Sequence, residues 1–454
     1  MTKRQSSDGQ SSWIAKVIVV LICAIPVIAT LAYGAVDSWT FGLLSIPVAM
    51  IAILWSAHAW TSGEFPYNTS KLQLPILGLI VLGGIQLLPL GSRDSSLLTA
   101  PVLQSLTMDP YATRLFVIKL LMYFVFFAAA LVYIQGGKRA NRTAIFLVTF
   151  GTLMAFFGIL QRLATPDSIY GMRPTPQAIP FGTFVNQHHF AALMEMMSGL
   201  TLGLLFGGGV TRERKLLFGM AAAIMGIAIV FTGSRGGLVS YLGVIAFAAV
   251  ASFGSVSDAN HVGRDSRSRM RRNLLVMTGA GGLILLVLGS VLFLGGESSL
   301  LRGMGLQNQS DVTSGRAHFW GIALQIFLAN PIIGSGFDSF GVAFTRYDTW
   351  NGQFRVEQAH NDYLQTLADG GILGFACVAA FIVILVKKGI AAVSRKTSDM
   401  HRSVSIGALA GCFGILIHSF FDFPLRTPAN AFFFLLFVVL AVGHSASSKR
   451  SRSS

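Results

Sequence analysis

The chain has 454 residues, of which 53% are hydrophobic and only 12% are charged, whereas an ordinary soluble protein is roughly 25% charged. A mean hydropathy of +0.64 places most of the chain in lipid and leaves no room for a large soluble domain. The formal net charge of +15 is compatible with a nucleic-acid partner. The positions of the basic residues along the chain test this possibility.

Twelve apolar stretches approach the roughly 20 residues that a transmembrane helix needs. The predicted spans are 14–33, 40–59, 72–90, 115–134, 143–162, 188–207, 216–232, 237–253, 274–294, 363–386, 403–420 and 428–445. The first span is longer than the roughly 7 to 15 apolar residues in the core of a signal peptide, so we expect an uncleaved helix. The predicted fold class is therefore all-α, a polytopic membrane protein of about 12 transmembrane helices.

The spans divide the chain into four predicted regions. These are transmembrane helices 1 to 9 over 1–294, a loop on the non-cytoplasmic side with candidate catalytic residues over 295–361, transmembrane helices 10 to 12 over 362–446, and a disordered cytoplasmic tail over 447–454. The loop far exceeds ordinary connection lengths, so we expect it to fold onto the membrane surface. Within it, Arg316–Leu328 predicts a short interfacial helix, with Thr313 and Ser314 as candidate caps.

Charge predicts the orientation of these helices. With both termini in the cytoplasm, 23 of the 34 lysines and arginines lie on the inner side, as the positive-inside rule requires. The basicity thus reflects topology, and we expect no nucleic-acid partner. The ten basic residues on the outer side are all arginines, whose planar charged fork suits phosphate recognition, although compositional bias explains any single one of them. They are Arg93, Arg114, Arg162, Arg173, Arg235, Arg302, Arg316, Arg346, Arg355 and Arg426.

Three outer segments carry candidate catalytic residues. His360 precedes the tenth span, where a helix N-terminus favours a neutral imidazole that can accept a proton, while Asp362 in the first turn has the opposite effect. Arg235 lies in a glycine-rich turn between spans seven and eight, and Arg316 begins the loop helix. From these residues alone, an interfacial histidine, a snorkelling arginine and a solvated helix end remain open as alternatives.

Five further polar residues on the outer side are candidates for substrate binding: Asn361, Asn186, His189, Arg173 and Arg426. Asn186 and His189 come from the segment that opens the sixth span. Arg426 shares the last outer turn with Asp422 and Asn430, where an internal ion pair is an equal alternative.

The sequence indicates no metal and no cofactor. Cys23, Cys377 and Cys412 fall in apolar stretches without CxxC spacing, so neither a disulfide framework nor a zinc site is predicted. There is no DxD motif and no P-loop, so neither a nucleotide-sugar donor nor ATP is indicated.

The sequence resembles the bacterial O-antigen ligase and polysaccharide polymerase superfamily. The resemblance rests on His360 and Asn361 followed after nine residues by Gly-Ile-Leu-Gly, on TGSRGG around Arg235, on SGRAHFW around Arg316, and on the twelve-helix layout. Relatives often have asparagine where His188 stands. The tail FDFPLRTPANA is more similar to the exopolysaccharide polymerase branch.

This resemblance implies a metal-independent glycosyltransferase of the bacterial inner membrane, with its active face in the periplasm. It would transfer a glycan from undecaprenyl pyrophosphate to a hydroxyl of a glycolipid or lipid A core acceptor, in lipopolysaccharide or exopolysaccharide biosynthesis. Arg235 and Arg316 would stabilise the pyrophosphate leaving group, and His360 would deprotonate the acceptor. Ligase and polymerase activities both stay open, as do a glycan transporter or flippase, for which midplane ionisable groups are expected, and a structural scaffold.

Overall fold

A computed structural model describes residues 13–90, 105–134, 137–176, 178–253, 270, 273–285, 289, 315–349, 356–394 and 398–442. These residues are almost entirely helical, apart from short turns and one two-stranded antiparallel pair, β1 (Ser168–Ile169) with β2 (Arg173–Pro174). The predicted all-α polytopic fold is confirmed.

The bounds of the described α-helices follow the predicted spans closely. They are α1 Trp13–Leu31, α2 Ser38–Ser62, α3 Gln73–Gln86, α4 Pro110–Tyr133, α5 Gly137–Ala164, α6 Gln187–Phe206, α7 Lys215–Thr232, α8 Arg235–Phe253, α9 Asn273–Leu285, α10 Arg316–Ala329, α11 Phe340–Phe344, α12 Asp362–Val393, α13 Asp399–His418 and α14 Pro428–Val442. Within the described ranges, nine of them are long and apolar enough to cross a membrane, and α3, α9 and α14 are shorter apolar helices.

The centre of the bundle is the contact between α6 and α13. Glycines let the two backbones approach: a Cβ on Gly203 would lie 2.2 Å from Gly407 Cα, and a Cβ on Gly199 would lie 2.8 Å from Gly411 Cα. Small residues at helix contacts permit such close packing in lipid, where no hydrophobic effect drives helices together. The most apolar stretch of α6 is 94% buried, against 22% for α2, so α6 is an internal helix and α2 a peripheral one.

The predicted loop helix is confirmed as α10, which spans Arg316–Ala329. It follows Gly315, whose φ is +83°, while the predicted caps Thr313 and Ser314 lie outside the described residues. Ile322 and Ile326 are buried in a small cluster that also includes Phe340 and Phe344 of α11. A local apolar core therefore folds this part of the chain on the bundle.

A buried glutamine ties the segment after α10 to the transmembrane helices. Gln86, at the end of α3, donates hydrogen bonds to Ile333 O at 2.6 Å and to Asp369 O at 2.9 Å. Its Oε1 accepts from Phe337 N at 2.9 Å. One side chain thus satisfies three backbone groups that are far from it in the sequence.

Gly371, the first glycine of the Gly-Ile-Leu-Gly motif, has a backbone conformation that requires glycine. It interrupts α12 with φ +59° and ψ −162°, a conformation essentially reserved for glycine. A Cβ there would lie 2.4 Å from Ile332 O, and Ile372 N donates to Pro331 O at 2.8 Å. The break lets the segment after α10 pack directly against the α12 backbone.

Candidate active site

His360 lies at the end of the bundle where α6, α8 and α12 begin, which we call the His360 face. The next residue, Asn361, caps α12: its Oδ1 accepts from Tyr363 N and Leu364 N, both at 3.0 Å. Its Nδ2 donates to Phe420 O at 3.2 Å. Asn361 therefore holds His360 against the end of α13, and its predicted contact with substrate stays a prediction.

The backbone and ring of His360 are held in a defined position. The residue has φ +51°, a left-handed conformation that costs energy for any residue except glycine and often marks a functional site. Gln365 Oε1 accepts from Ala359 N at 2.9 Å and stabilises the preceding turn. The imidazole stacks on Phe319, with ring centres 6.1 Å apart, and meets the edge of Phe423 at 4.9 Å.

The imidazole has a buried carboxylate partner, Asp422. His360 Nδ1 lies 3.1 Å from Asp422 Oδ1, and the Asp422 side chain is only 1% exposed. Burial raises the pKa of Asp422, but the hydrogen bond from His360 and the charges of nearby imidazoles outweigh it and hold that pKa well below its usual range. An ionised carboxylate only accepts hydrogen bonds, so Nδ1 is the donor of this bond, and Nε2 is the nitrogen whose lone pair would serve as a base in the neutral ring.

Asp422 also pairs with Arg316. Arg316 Nη2 lies 3.8 Å from Asp422 Oδ2. Burial lowers the pKa of Arg316, the Asp422 charge raises it, and the Arg235 charge lowers it further. The guanidinium stays protonated all the same, because its intrinsic pKa exceeds 12. Arg316 and Arg235 are thus close enough for their positive charges to repel each other. An anion bound near both would relieve that repulsion.

Arg235 is placed by the predicted tight turn. Gly233 ends α7 with φ +66°, and Arg235 is the first residue of α8. Ser234 Oγ accepts from Gly237 N at 3.1 Å and lies 2.8 Å from His188 Nδ1. The guanidinium therefore emerges where a helix N-terminus adds partial positive charge.

Two predicted binding residues lie at the start of α6. Asn186 caps that helix, its Oδ1 accepting from His188 N at 2.8 Å. His189 is 5% exposed, and its Nδ1 bonds Thr427 Oγ1 at 2.8 Å. Its Nε2 has no hydrogen-bonding partner within the described part of the chain.

The other two predicted binding residues are engaged in ion pairs. Arg173 forms a two-point contact with Asp37, with Nη2 2.9 Å from Oδ1, and its guanidinium lies 4.4 Å from the centre of the Tyr33 ring. Arg426 donates to Asp338 at 3.1 Å and to a second carboxylate, Asp369, at 2.8 Å. Their binding roles stay predictions, since the structure gives both guanidiniums internal partners.

No cluster of metal ligands is found in the described ranges: no three His, Cys, Asp or Glu side chains are grouped there as they would be around a metal ion. The acidic cluster nearest the site is organised around a guanidinium instead. Arg426 Nε lies 3.9 Å from Asp362 Oδ1, in addition to its bonds with the other two carboxylates.

In the comparison with known families, residues 220–379 match the O-antigen ligase family. This segment of the chain is similar to an O-antigen ligase domain. This confirms the resemblance drawn from the motifs and makes the protein a membrane glycosyltransferase of the ligase or polymerase type in general terms. A search of curated proteins gave no match.

The position of the O-antigen ligase domain explains which site residues the sequence could reveal. The matched segment contains both candidate arginines and His360. Asp422 lies 62 residues beyond His360, outside the match, and sequence reasoning treated it only as an ion-pair partner in the last turn. The signal that could have drawn attention to it is its place as the one acidic residue of the last predicted outer turn.

Proposed function

We propose that this protein transfers a glycan from undecaprenyl pyrophosphate to an acceptor hydroxyl, at the periplasmic side of the bacterial inner membrane. The observation that carries the proposal is the meeting of one imidazole, one ionised carboxylate and two guanidiniums on the His360 face. An imidazole with a carboxylate partner suits proton removal, and paired guanidiniums suit a diphosphate.

The distribution of charge supports the orientation. The arginines of the site lie on the side that the positive-inside rule assigns to the periplasm. ATP is absent from that compartment, so cleavage of the pyrophosphate linkage itself has to drive the transfer. A preformed lipid-linked donor meets this requirement.

In the proposed reaction, the acceptor hydroxyl oxygen attacks the anomeric carbon of the donor sugar. The bond between that carbon and the pyrophosphate oxygen breaks, and its electron pair leaves with undecaprenyl pyrophosphate. His360 Nε2 takes the hydroxyl proton, and Asp422 stabilises the imidazolium that forms, because its Oδ1 lies 3.1 Å from Nδ1. General base catalysis of this kind contributes roughly 10²- to 10⁴-fold to a rate.

Arg235 and Arg316 act on the leaving group. Negative charge grows on the pyrophosphate as the bond breaks, and fixed cations in a partly buried site stabilise that charge without reorganisation. Arg316 is only 20% exposed, so its charge is weakly screened by water. Two guanidiniums would take the place of a divalent cation, and metal independence is therefore part of the proposal.

The test is transfer by purified protein in vesicles that contain a defined undecaprenyl pyrophosphate glycan, with EDTA present. His360→Ala should lower the rate by roughly 10²- to 10⁴-fold, and Arg235→Ala should abolish transfer. Both variants should keep the unfolding temperature of the wild type. His58→Ala is the matched control, because His58 bonds Tyr133 away from the site, and it should transfer normally.

Undiminished transfer by His360→Ala or Arg235→Ala would refute the mechanism. Loss of wild-type transfer in EDTA would refute metal independence alone. Supplying lipid A core and a second lipid-linked glycan as alternative acceptors distinguishes a ligase from a polymerase by the product formed.

A further inference from the structure

A cavity of about 600 Å³ that is lined by several charged side chains lies beside the His360 face. We call it the polar cavity. Its volume falls within the roughly 300–1,000 Å³ of ligand pockets. The walls include residues of α2, α4, α6 and α14, together with Glu357 and Gln358. Phe423 lines the cavity and also contacts the His360 ring, with ring centres 4.9 Å apart, so the cavity adjoins the proposed base.

The charges of this cavity argue against a phosphate ligand. Three carboxylates line it, Asp37, Asp338 and Glu357, against two basic side chains, Lys119 and Arg426. Both basic groups already face Asp338, at 3.8 and 3.1 Å. A surface that carries both acceptor and donor groups suits a neutral ligand whose hydroxyls both donate and accept. Sugars have this property.

An unsatisfied buried atom points to a missing ligand. His189 lines the cavity and is 5% exposed. Its Nδ1 bonds Thr427, whereas Nε2 lacks a partner among the described residues. A buried polar atom without a hydrogen bond costs roughly 1–3 kcal/mol, and a ligand hydroxyl at this position would remove that cost.

A second cavity, of about 230 Å³, adjoins the first and is largely apolar. It lies between α3, α4, α12 and α14, where side chains such as Ile76, Leu120 and Phe381 line it. The two cavities share the same wall, formed by Lys119, Tyr123, Asp338 and Arg426. A ligand with a neutral polar head and a hydrocarbon chain matches the character of the two neighbouring cavities.

We propose that the polar cavity binds the terminal sugar of a glycolipid acceptor and that the apolar cavity binds its hydrocarbon chain. The inference rests on the proposed function, which supplies a reaction in which a sugar hydroxyl must reach His360. The donor pyrophosphate then lies at Arg235 and Arg316, and the acceptor occupies a separate surface of mixed charge next to the same imidazole.

The experiment is photocrosslinking of the protein in vesicles with a photoreactive alkyl β-glucoside, compared with an alkyl phosphocholine of the same chain length. The glucoside should label peptides of α2 and α4 that line the cavity, and excess alkyl maltoside should compete. Equal labelling by the phosphocholine would identify an ordinary lipid site, and absence of labelling would remove the site. Either outcome overturns the inference.

A bulky substitution with a matched control tests the location. Val36 lines the polar cavity, whereas Leu43 of α2 does not, and the two are similarly exposed, at 46% and 40%. Val36→Trp should lower glucoside labelling about tenfold, equivalent to about 1.4 kcal/mol, while Leu43→Trp should leave it unchanged. Equal labelling of both variants would contradict the proposed position.

His189 provides a second, smaller perturbation. His189→Phe keeps an aromatic ring and removes Nε2, and it should also weaken glucoside labelling. Thr427→Val removes the bond to Nδ1 and one hydroxyl from the cavity lining, and it serves as the comparison for loss of that bond with Nε2 kept. Labelling of His189→Phe at the wild-type level, in a variant that unfolds at the wild-type temperature, would exclude Nε2 as a ligand contact.

Kinetics separate failure of this inference from failure of the proposed function. Val36→Trp should raise the KM for the acceptor about tenfold and leave the KM for the donor unchanged. A rise in the donor KM instead would assign the cavity to the donor glycan and overturn the inference, with the transfer reaction intact. If the wild type shows no transfer, the proposed function fails, while the labelling still decides the cavity.

Discussion

The substitution Asp422→Asn isolates the contribution of one charge to the proposed reaction. Asparagine has nearly the same shape and keeps an oxygen that can accept from His360 Nδ1, so the ring should keep its orientation. What is lost is the negative charge 3.1 Å from the imidazole, and with it the stabilisation of the imidazolium that forms during transfer. Arg316, 3.8 Å from the same carboxylate, loses a competing anion.

The expected effect follows from the geometry. A hydrogen bond to a charged group contributes about 1.5–3 kcal/mol, and each 1.36 kcal/mol corresponds to about tenfold in rate. We therefore expect kcat to fall about 10- to 150-fold. The KM for the donor should not rise, because Arg316 becomes more available for the pyrophosphate. Initial rates of transfer in vesicles, measured over a range of donor concentrations, give both quantities.

Asp348→Asn is the matched control for this prediction. Asp348 also bonds a histidine, with Oδ1 2.9 Å from His318 Nε2, and the proposed reaction does not use that pair. Its kcat should stay close to the wild-type value. If Asp422→Asn transfers as fast as Asp348→Asn, the carboxylate has no part in the chemistry and the assignment of His360 Nε2 as the base loses its support.

Other predictions concern stability and pH. Arg426→Met leaves the buried carboxylate of Asp369 without its counter-charge, which should cost about 3–5 kcal/mol, and an unchanged unfolding temperature in detergent would contradict this. Gly371→Ala places a Cβ 2.4 Å from Ile332 O at a positive φ and should lower the unfolding temperature, whereas Gly84→Ala, which meets open space, should not. The pKa of Asp422 is depressed in the folded state, so the ionised carboxylate stabilises the fold. This contribution is present above the unfolded pKa of about 3.9 and is lost as the pH falls further. The difference in unfolding temperature between the wild type and Asp422→Asn should therefore persist down to roughly pH 4 and shrink below it, and a difference that grows there would exclude a depressed pKa.

Local signals in the sequence predicted much of the framework. The length of each apolar stretch indicated a helix because lipid leaves the backbone no other way to satisfy its hydrogen bonds. The turn around Arg235 was visible in its glycines, and α10 was visible between Arg316 and the proline after Asn330. These features depend on residues close together along the chain, which is why they could be found without tertiary structure.

Tertiary structure decided which of the polar residues act together. By sequence, Arg173 and Arg426 resembled Arg316, since all three are arginines on the predicted outer side. Folding gives Arg173 a partner 136 residues away, Asp37, and surrounds Arg426 with carboxylates.

The sequence by itself thus determined the helices, the turns and the family motifs, including His360 and both arginines of the site. Asp422 could be identified only from the fold. This carboxylate is 62 residues away from His360 in the sequence and becomes its partner because the start of α12 packs against the end of α13. Proton transfer depends on distances of about 3 Å and on burial. The availability of a guanidinium for a ligand likewise depends on which charges lie next to it in space, and spacing along the chain does not encode these quantities.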